Sequence, residues 1–326
     1  MRGSSGSRST RHPLRQIMGG SSPRNARRGA LAAGLLVVVT ALPACSIKKL
    51  AINSIADTLA ESGSLFAADD DPELVRDAIP FALKTIEGLL AEVPEHRGLL
   101  LSACSGFTQY SFAFVETDAE LLQYEDYETT QRMRERALKL YLRARNYGLR
   151  GLEVKHPGIS QQLRNDPEAA VATVPLDEID MLYWTGAAWG AALSLGSDRP
   201  DLIADLPAVT AIIRRTMELD ETYLDGAVHE MFVILESLGD LFGGSLDEAR
   251  RHFERAVELS GGHSASPYLT MATSVSVSTQ NREEFEELLG QALAIDVDAY
   301  LDTRLQNIIT QRRARHLLDN IEELFF

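Results

Sequence analysis

Cysteine is nearly absent from this 326-residue sequence, which contains only Cys45 and Cys104. The seven histidines do not combine with cysteine or acidic residues at the spacings of a metal site. The HExxH, GxSxG, P-loop and GxGxxG motifs are also lacking. These absences argue against a metal site, a cofactor site and an enzyme. His229 and Glu230 stand alone on a predicted helix, where a surface or hydrogen-bonded role is the simpler interpretation.

Positive charge is scarce after the N-terminal region. The whole chain carries 32 basic and 47 acidic residues, a net charge of −15. Seven arginines precede residue 29, so from residue 45 onward 25 basic residues face the same 47 acidic ones. Binding to nucleic acid needs clustered lysine and arginine, which argues against a nucleic-acid partner and against broad adhesion to anionic membranes. The exception is a basic patch of Arg312, Arg313 and Arg315, which either pairs with acidic loops of the same chain or docks an acidic partner.

The sequence also lacks an apolar run long enough to cross a bilayer. Residues 29–42 form an apolar run of 14 residues, whereas a spanning helix needs about 20. Because an arginine-rich stretch without acidic residues precedes it, this run is typical of a secretory signal peptide. Residues 42–45, LPAC, resemble the lipobox of bacterial lipoproteins, in which the cysteine is lipidated and becomes the first mature residue. An ordinary signal peptide is the alternative.

The lipobox interpretation divides the chain into three parts. Residues 1–44 are a basic leader and signal peptide, residues 45–70 are the lipidated Cys45 with a tether, and residues 71–326 form one helical domain. Stable anchoring takes more than one acyl chain, which a triacylated Cys45 would supply. In the lipoprotein family an aspartate directly after the cysteine favours retention at the inner membrane, so the resemblance implies that Ser46 favours the outer membrane. The predicted location is the periplasm, with the membrane contacted only through the lipid.

Strand-like alternation is rare beyond residue 70. Residues 274–279, SVSVST, alternate, but they continue a helical stripe and are predicted to end a helix. Elsewhere the sequence predicts short helices between proline and glycine breaks. Asp71-Pro72 begins one of them, and Ser245 with Glu248 has the spacing of a capping box. The last helix is predicted to be long, over residues 302–326.

A two-helix pattern repeats along the second half of the chain. Residues 249–259 carry the A-x3-F-x2-A pattern of the second helix of a tetratricopeptide (TPR) repeat, and equivalent residues recur 40 residues earlier and 36 residues later. The matching positions are Ala249, Phe253, Ala256 and Leu259; Val209, Ile213, Thr216 and Leu219; and Phe285, Leu289, Ala292 and Ile295. Small residues in the preceding helices allow helical hairpins to stack closely.

These repeats predict an all-α fold. It is a TPR-like α-solenoid of stacked helical hairpins, with the long C-terminal helix capping the final repeat. The first repeat is stretched by polar insertions at residues 116–127 and 155–178. A non-repetitive helical bundle is the alternative.

Both tryptophans lie in residues 182–191, LYWTGAAWGA, a run with almost no polar residue. At about 100° per residue in a helix, Trp184 and Trp189 lie about 140° apart and point to different sides. Trp189 shares a side with the predicted packing stripe, so we expect it to pack. Trp184 is expected to line a cavity or a subunit interface. Under a ligand-binding interpretation, the candidate lining residues of this run are Tyr183, Trp184 and Trp189.

Several runs together resemble the TatT family, TPR lipoproteins associated with TRAP transporters. They are RALKLYLRARNYGLRGLEVKHPG (136–158), LYWTGAAWGAALSL (182–195), SLDEARRHFERAVELSGG (245–262), NREEFEELLGQALAID (281–296) and RLQNIITQRRARHLLDNIEELF (304–325), and the Cys45 signal fits as well. The resemblance implies a periplasmic homotrimer that associates with the solute-binding protein of a TRAP system. It also implies a hydrophobic channel or cleft in each protomer for small hydrophobic or carboxylate ligands, and it brings no catalytic residues.

Two functional hypotheses follow, from different classes. In the first, the protein is a ligand-handling accessory, whose aromatic residues bind a solute or receive it from the solute-binding protein. In the second, it is a protein–protein interaction scaffold, whose TPR groove or trimer surface docks a partner while the aromatic residues form core. Neither hypothesis involves making or breaking covalent bonds.

Overall fold

The structure, a computed structural model, describes residues 64–239 and 243–326. The predicted signal peptide, Cys45 and most of the tether lie outside these residues. Every regular element of the described residues is helical, which confirms the all-α prediction. The α-helices are α1 (Ser64–Ala67), α2 (Pro72–Glu92), α3 (Arg97–Tyr110), α4 (Thr117–Leu121), α5 (Tyr127–Lys155), α6 (Ile159–Asn165), α7 (Pro167–Val171), α8 (Ile179–Leu195), α9 (Pro200–Ile203), α10 (Leu206–Leu219), α11 (Tyr223–Ser237), α12 (Leu246–Leu259), α13 (Ser266–Met271), α14 (Arg282–Ala294) and α15 (Arg304–Asp319).

Other helix types occur between these elements. Ser111–Glu116 and Ala272–Ser276 are π-helical, and Leu176–Glu178, Leu301–Thr303 and Ile321–Glu323 are 3-10 turns. The alternating SVSVST run thus falls at a helical end, as predicted. Across the described ranges, none of the helices combines the length and apolar character needed to cross a membrane.

The helices pack in chain order, as stacked helical hairpins require. α3 contacts α2 and α5, α8 contacts α5 and α10, and α11 contacts α10 and α12. Helices further apart in the chain also touch, α3 with α8 and α11 with α13. Most of the predicted repeat positions are buried, among them Ala249, Phe285, Leu289 and Ala292, which are fully buried. The other four are half-buried: Leu219, Phe253, Leu259 and Ile295.

The last helix closes the array. α15 packs on α14, but it also contacts α1, α2 and α4 near the start of the described chain. Leu305 and Ile309 of α15 join the apolar core formed by α2 to α11, whereas Leu317 joins a second core formed by α11 to the C-terminus. Arg304 adds an ion pair to Asp70 at 3.1 Å. The helix that was predicted to cap the final repeat therefore also bridges to the first helices.

This last helix is shorter than predicted. It ends at Asp319 and not at Phe326. The side chain of Asn320 donates a hydrogen bond from Nδ2 to the backbone carbonyl of His316 at 2.8 Å, which satisfies a carbonyl of the last turn and ends the helix. A short 3-10 turn follows at Ile321–Glu323.

Both predicted helix starts are present, but the predicted capping hydrogen bonds form at only one of them. Asp71 accepts a hydrogen bond from the N–H of Leu74 and caps α2. α12 does begin after Ser245, but the Ser245 hydroxyl makes no capping bond. The backbone N–H of Ser245 donates to Glu236 at 2.8 Å and not to Glu248, so the capping box is not formed.

The segments predicted as insertions and tether are partly helical. α4 lies within residues 116–127, and both α6 and α7 lie within residues 155–178. α1 falls in the range predicted as tether, and Phe66 packs against the first core, so the helical domain begins before residue 71. Helices this short contain too few apolar residues to show a helical period in the sequence.

Three helices cross closely where α5 contacts both α3 and α8. Gly148 permits this approach, because a Cβ atom there would lie 2.2 Å from Thr185 Oγ1 and 2.9 Å from Cys104 Sγ. Thr185 and Cys104 are themselves fully buried. Cys104 is thus a small residue of the buried core, and burial raises the pKa of its thiol to about 12.

Candidate functional site

Trp189 lies in the core beside the start of α10. Its side chain is 4% exposed, and its indole Nε1–H donates to Asp205 Oδ2 at 3.0 Å. The guanidinium of Arg145 lies over the indole ring at 5.2 Å and is 3.5 Å from the same carboxylate. These contacts join α5, α8 and the start of α10, which indicates a packing role for Trp189.

Tyr183 and Trp184 form an aromatic cluster with Tyr223. Tyr183 meets Trp184 and Tyr223 edge-on, with ring centroids 5.2 Å apart in both pairs. The Tyr223 hydroxyl donates to Asp180 Oδ1 at 2.5 Å. Trp184 is half-buried. That Tyr183 and Trp184 line a ligand channel stays a prediction.

A left-handed turn places Tyr223 in this cluster. Leu224, Asp225 and Gly226 have φ values of 47°, 55° and 84°. For a bulky residue such as leucine this conformation is a rare outlier that costs free energy. Only glycine fits at position 226, because a Cβ atom there would lie 2.8 Å from Leu259 Cδ1. Backbone strain of this kind is concentrated at functional sites, which favours the cluster as a candidate recognition surface.

Glu230 adds a partly buried carboxyl group beside Tyr183. Its Oε2 accepts hydrogen bonds from Ser266 Oγ at 2.5 Å and from Thr270 Oγ1 at 3.3 Å. Burial raises the pKa of Glu230 to about 7 despite these two bonds. Burial, and then the charge of Glu230, raise the pKa of the Tyr183 hydroxyl. The carboxyl group therefore titrates near neutral pH next to the aromatic cluster.

We expect Glu230→Gln to stabilise the protein at pH 8 by on the order of 2 kcal/mol, and to have little effect at pH 4.5. The folded protein keeps a proton on Glu230 up to about pH 7, whereas the unfolded chain releases it near pH 4.5. Stability that this group contributes is therefore lost as the pH rises through that window. Urea unfolding at both pH values measures the difference. Glu254→Gln, at an exposed site on α12, is the control, and equal effects of the two variants would contradict the prediction.

His229 was predicted to be a surface or hydrogen-bonded residue, and it is buried and hydrogen-bonded. Its Nδ1 lies 2.8 Å from Nδ1 of His252, and His252 stacks on Phe232 at 4.7 Å. Burial lowers the pKa of both imidazoles. The hydrogen bond between the two rings joins α11 to α12, and the lowered pKa values favour the neutral form of both. Within the described ranges, no three His, Cys, Asp or Glu side chains are placed to hold a metal ion.

Helix α15 divides the basic patch between two sides. Arg313 points inward, where its side chain is 13% exposed and pairs with Glu120 at 2.5 Å. Arg312 is 46% exposed and lies 3.5 Å from Glu73. Arg315 is exposed. Arg312 and Arg313 therefore pair with acidic residues of the same chain, the first of the two alternatives. Docking of an acidic partner at Arg315 stays a prediction.

Arg313 lines a polar cavity of about 320 Å³ at the junction of α4, α5, α15 and the end of α8. Its lining residues are Glu116, Glu120, Gln123, Arg134, Ser194, Leu195, Ser197 and Arg313. A second cavity of about 240 Å³ shares Arg134, Leu195 and Ser197 with it. The two cavities therefore adjoin, and polar groups dominate the lining of the first.

Glu116 reaches this cavity from a π-helical segment. It is the last residue of Ser111–Glu116, and the hydroxyl of Tyr141 on α5 donates to its carboxyl group. Burial raises the pKa of Glu116. Thr117 Oγ1 donates to the carbonyl of Phe112 at 2.9 Å within the wider turn. Because π-helical segments occur frequently at functional sites, the cavity is a second candidate site beside the aromatic cluster.

Glu116, Glu120 and Arg134 were missed by the sequence analysis. The available signal was a pair of carboxylates four residues apart at the start of the polar insertion at residues 116–127. A solvated helix face produces the same pattern. The partner of Glu120, Arg313, lies 193 residues further along the chain, and no local pattern reports such a contact.

Comparison with known proteins agrees with the family resemblance. The model of the TRAP transporter T-component family (TAtT) matches residues 68–325. A protein of Treponema pallidum (strain Nichols) described as uncharacterized is 31% identical over 303 residues, which are 86% of this chain and 93% of that relative. The range matched by the family model includes the aromatic cluster and the polar cavity. T-components are accessory, transport-associated proteins and not enzymes. This chain belongs to the TRAP transporter T-component family.

Proposed function

We propose that this protein is a periplasmic, lipid-anchored accessory of a TRAP-type uptake system, and that it binds the solute-binding protein of that system. The family match over residues 68–325 is the observation that carries the proposal. The LPAC sequence at residues 42–45 supports an anchor on Cys45, and Ser46 supports the outer membrane. A homotrimer is the assembly we expect from the family resemblance.

The proposed chemistry is recognition and transfer of a small solute. A closed array of helices offers a broad, rigid surface on which a partner protein can dock. The aromatic cluster and the polar cavity offer two places for the solute, one apolar and one charged. A hand-over requires that docking changes the relative affinities of the two proteins for the solute, because a ligand moves a population only through differential binding.

Capture of the TRAP solute-binding protein from the same organism tests this function. The purified protein is expected to bind it with a Kd in the micromolar range or tighter. If Arg315 docks an acidic surface, Arg315→Glu weakens binding by about tenfold and makes it less sensitive to salt. Arg251→Glu is the matched control, since Arg251 is also an exposed helical arginine. Absence of capture at every salt concentration would refute the proposed partnership.

A protein–protein scaffold without ligand binding is the second candidate. The core position and the hydrogen bond of Trp189 favour it, because they assign one of the predicted ligand-lining residues to packing. Under this alternative the partner is captured equally well by the wild type and by Trp184→Ala. The protein would then also bind none of the solutes that the partner binds.

A further inference from the structure

The outer face of α2 is apolar along most of the helix. Leu74 and Phe81 are 60% and 80% exposed there. Ala78, Thr85 and Gly88 continue the same side of the helix, at spacings of four and three residues. We call these five positions the α2 stripe, and none of them carries a charge. A single exposed leucine is ordinary in a soluble protein, whereas a contiguous apolar patch marks an interaction surface.

The α2 stripe is not used for packing among the described elements. α2 contacts α3 and α15 through other sides of the helix, and its buried residues are Val75, Leu83, Ile86 and Leu90. A Cβ atom at Gly88 would have nothing within 4 Å, so even the smallest position of the stripe lies open. The stripe is therefore an unpartnered helix face.

The shape of the α2 stripe is complementary to itself when two copies run antiparallel. With Phe81 of both copies at the two-fold axis, Leu74 of one copy lies opposite Gly88 of the other, because both positions are seven residues from Phe81. The open position at Gly88 is a notch for the leucine side chain. Ala78 and Thr85 lie on either side of the axis, and their small side chains leave room for the two rings. The largest and smallest side chains of the stripe thus meet at both ends of the contact.

The charges beside the stripe match in the same arrangement. Asp77 precedes Phe81 by four residues and Lys84 follows it by three, so an antiparallel pair brings Asp77 of each copy to Lys84 of the other. Within the part of the chain that the structure describes, Asp77 has no ion-pair partner. Lys84 is 68% exposed, and its contact Glu87 also accepts a hydrogen bond from Tyr147 at 2.7 Å. A parallel pair would instead set like charges opposite each other, which is unfavourable.

The length of α2 sets the strength of such a contact. A helix of 21 residues is about 32 Å long. Two helices of this length bury about 1,000 Å² in total, which is the lower end of specific interfaces. We therefore expect association with a Kd in the micromolar range.

We propose that the α2 stripe is a docking surface for a second copy of this chain, in an antiparallel arrangement with the two Phe81 rings at the two-fold axis. A two-fold contact closes on two copies, so it does not build the homotrimer that the family resemblance implies. It joins two chains, which can belong to two different trimers. The contact needs only residues of α2 and is independent of the TRAP role, so loss of one leaves the other in place.

Sedimentation velocity of the purified protein from about 1 to about 200 µM tests the association. The mass is expected to double over this range, from one chain to two or from a trimer to a hexamer. Phe81→Asp is expected to raise the Kd at least tenfold, because it places two carboxylates at the axis. Tyr127→Asp is the matched control, since Tyr127 is a 72% exposed aromatic residue at the start of α5. A wild-type mass that does not change, or equal effects of the two variants, would overturn the proposal.

Oxidative cross-linking at the upper concentration tests the geometry. Phe81→Cys is expected to form a disulfide-linked dimer, since only positions near the axis approach their own copies closely enough. Leu74→Cys alone is expected not to, because fourteen residues of helix separate it from its copy by about 21 Å. Mixing Leu74→Cys with Gly88→Cys is expected to restore the cross-link. The wild type under the same oxidant controls for Cys45 and Cys104, and a self-cross-link of Leu74→Cys as strong as that of Phe81→Cys would overturn the antiparallel arrangement.

A charge exchange tests the ion pairs. Asp77→Lys is expected to weaken association by about tenfold, since it sets two positive charges against each other. Adding Lys84→Asp to the same chain is expected to restore association to near the wild-type Kd. Circular dichroism of each variant verifies that it is folded. A double variant that associates no better than Asp77→Lys would overturn the proposed pairing of Asp77 with Lys84.

Discussion

Arg313→Leu is expected to lower the free energy of unfolding at pH 7.5 by about 3–5 kcal/mol, the cost of leaving a buried charge without its partner. Arg313 and Glu120 are 13% and 15% exposed, so water does little to replace the lost ion pair. Glu116 also loses the favourable charge interaction with Arg313. Chemical denaturation followed by circular dichroism measures the loss.

The neighbouring residue supplies the control for this prediction. Arg312→Leu removes the same charge one position earlier, but Arg312 and Glu73 are 46% and 70% exposed, and such pairs contribute at most about 1 kcal/mol. At pH 5 the deficit of Arg313→Leu is expected to shrink, because burial raises the pKa of Glu116 and a protonated Glu116 no longer needs the positive charge of Arg313. Equal losses in the two variants would show that Arg313 is not a buried partner.

Gly148→Val is expected to destabilise the protein by at least about 3 kcal/mol. The first added carbon alone would lie 2.2 Å from Thr185 Oγ1 and 2.9 Å from Cys104 Sγ. Neither neighbour can withdraw easily, because both are fully buried and the Thr185 hydroxyl is bonded to the carbonyl of Met181 at 2.5 Å. Overpacking of a rigid core forces helices apart and costs about 1–3 kcal/mol even for small additions.

Gly88→Val serves as the matched helical control. Gly88 lies on the exposed face of α2, and nothing lies within 4 Å of the position that a Cβ atom would take. Valine has a better helix propensity than glycine by a few tenths of a kcal/mol, so this variant is expected to be neutral or slightly stabilising. Thermal unfolding of the two variants in parallel measures the contrast. A Gly148→Val protein as stable as Gly88→Val would mean that α3, α5 and α8 do not cross this closely.

The helical architecture was predictable because it depends on local patterns. Ala249, Phe285 and Leu289 mark the buried face of their helices through residues three and four positions apart, and Asp71-Pro72 marks a helix start through its own backbone chemistry. The same logic failed at Ser245, whose N–H is taken by Glu236 from the preceding helix. It also failed for the short helices α1, α4, α6 and α7.

The candidate sites were predictable only in part. The apolar run around Trp184 and Trp189 drew attention to α8, and helical geometry correctly separated the two side chains. The sequence could not predict that Arg312 is exposed and Arg313 is buried, because this depends on which acidic residues of other helices lie opposite each of them. The cavity depends on contacts between α4 and α15, which are far apart in the chain. It also depends on a π-helical segment, which no periodic pattern in the sequence predicts.

The return of α15 to the first helices has a consequence for how the chain folds. In an open repeat array each unit depends only on its neighbours, so folding can begin anywhere and the ends can fray independently. Here the Glu120–Arg313 contact joins residues 193 positions apart, and loop closure over such a distance slows folding. Because synthesis delivers the N-terminal part first, the cavity is completed only when the last helix arrives. A chain truncated before α15 would keep most of its helices but would lack Arg313 and therefore a complete cavity. The cavity thus forms only when the first helices and the last helix pack together.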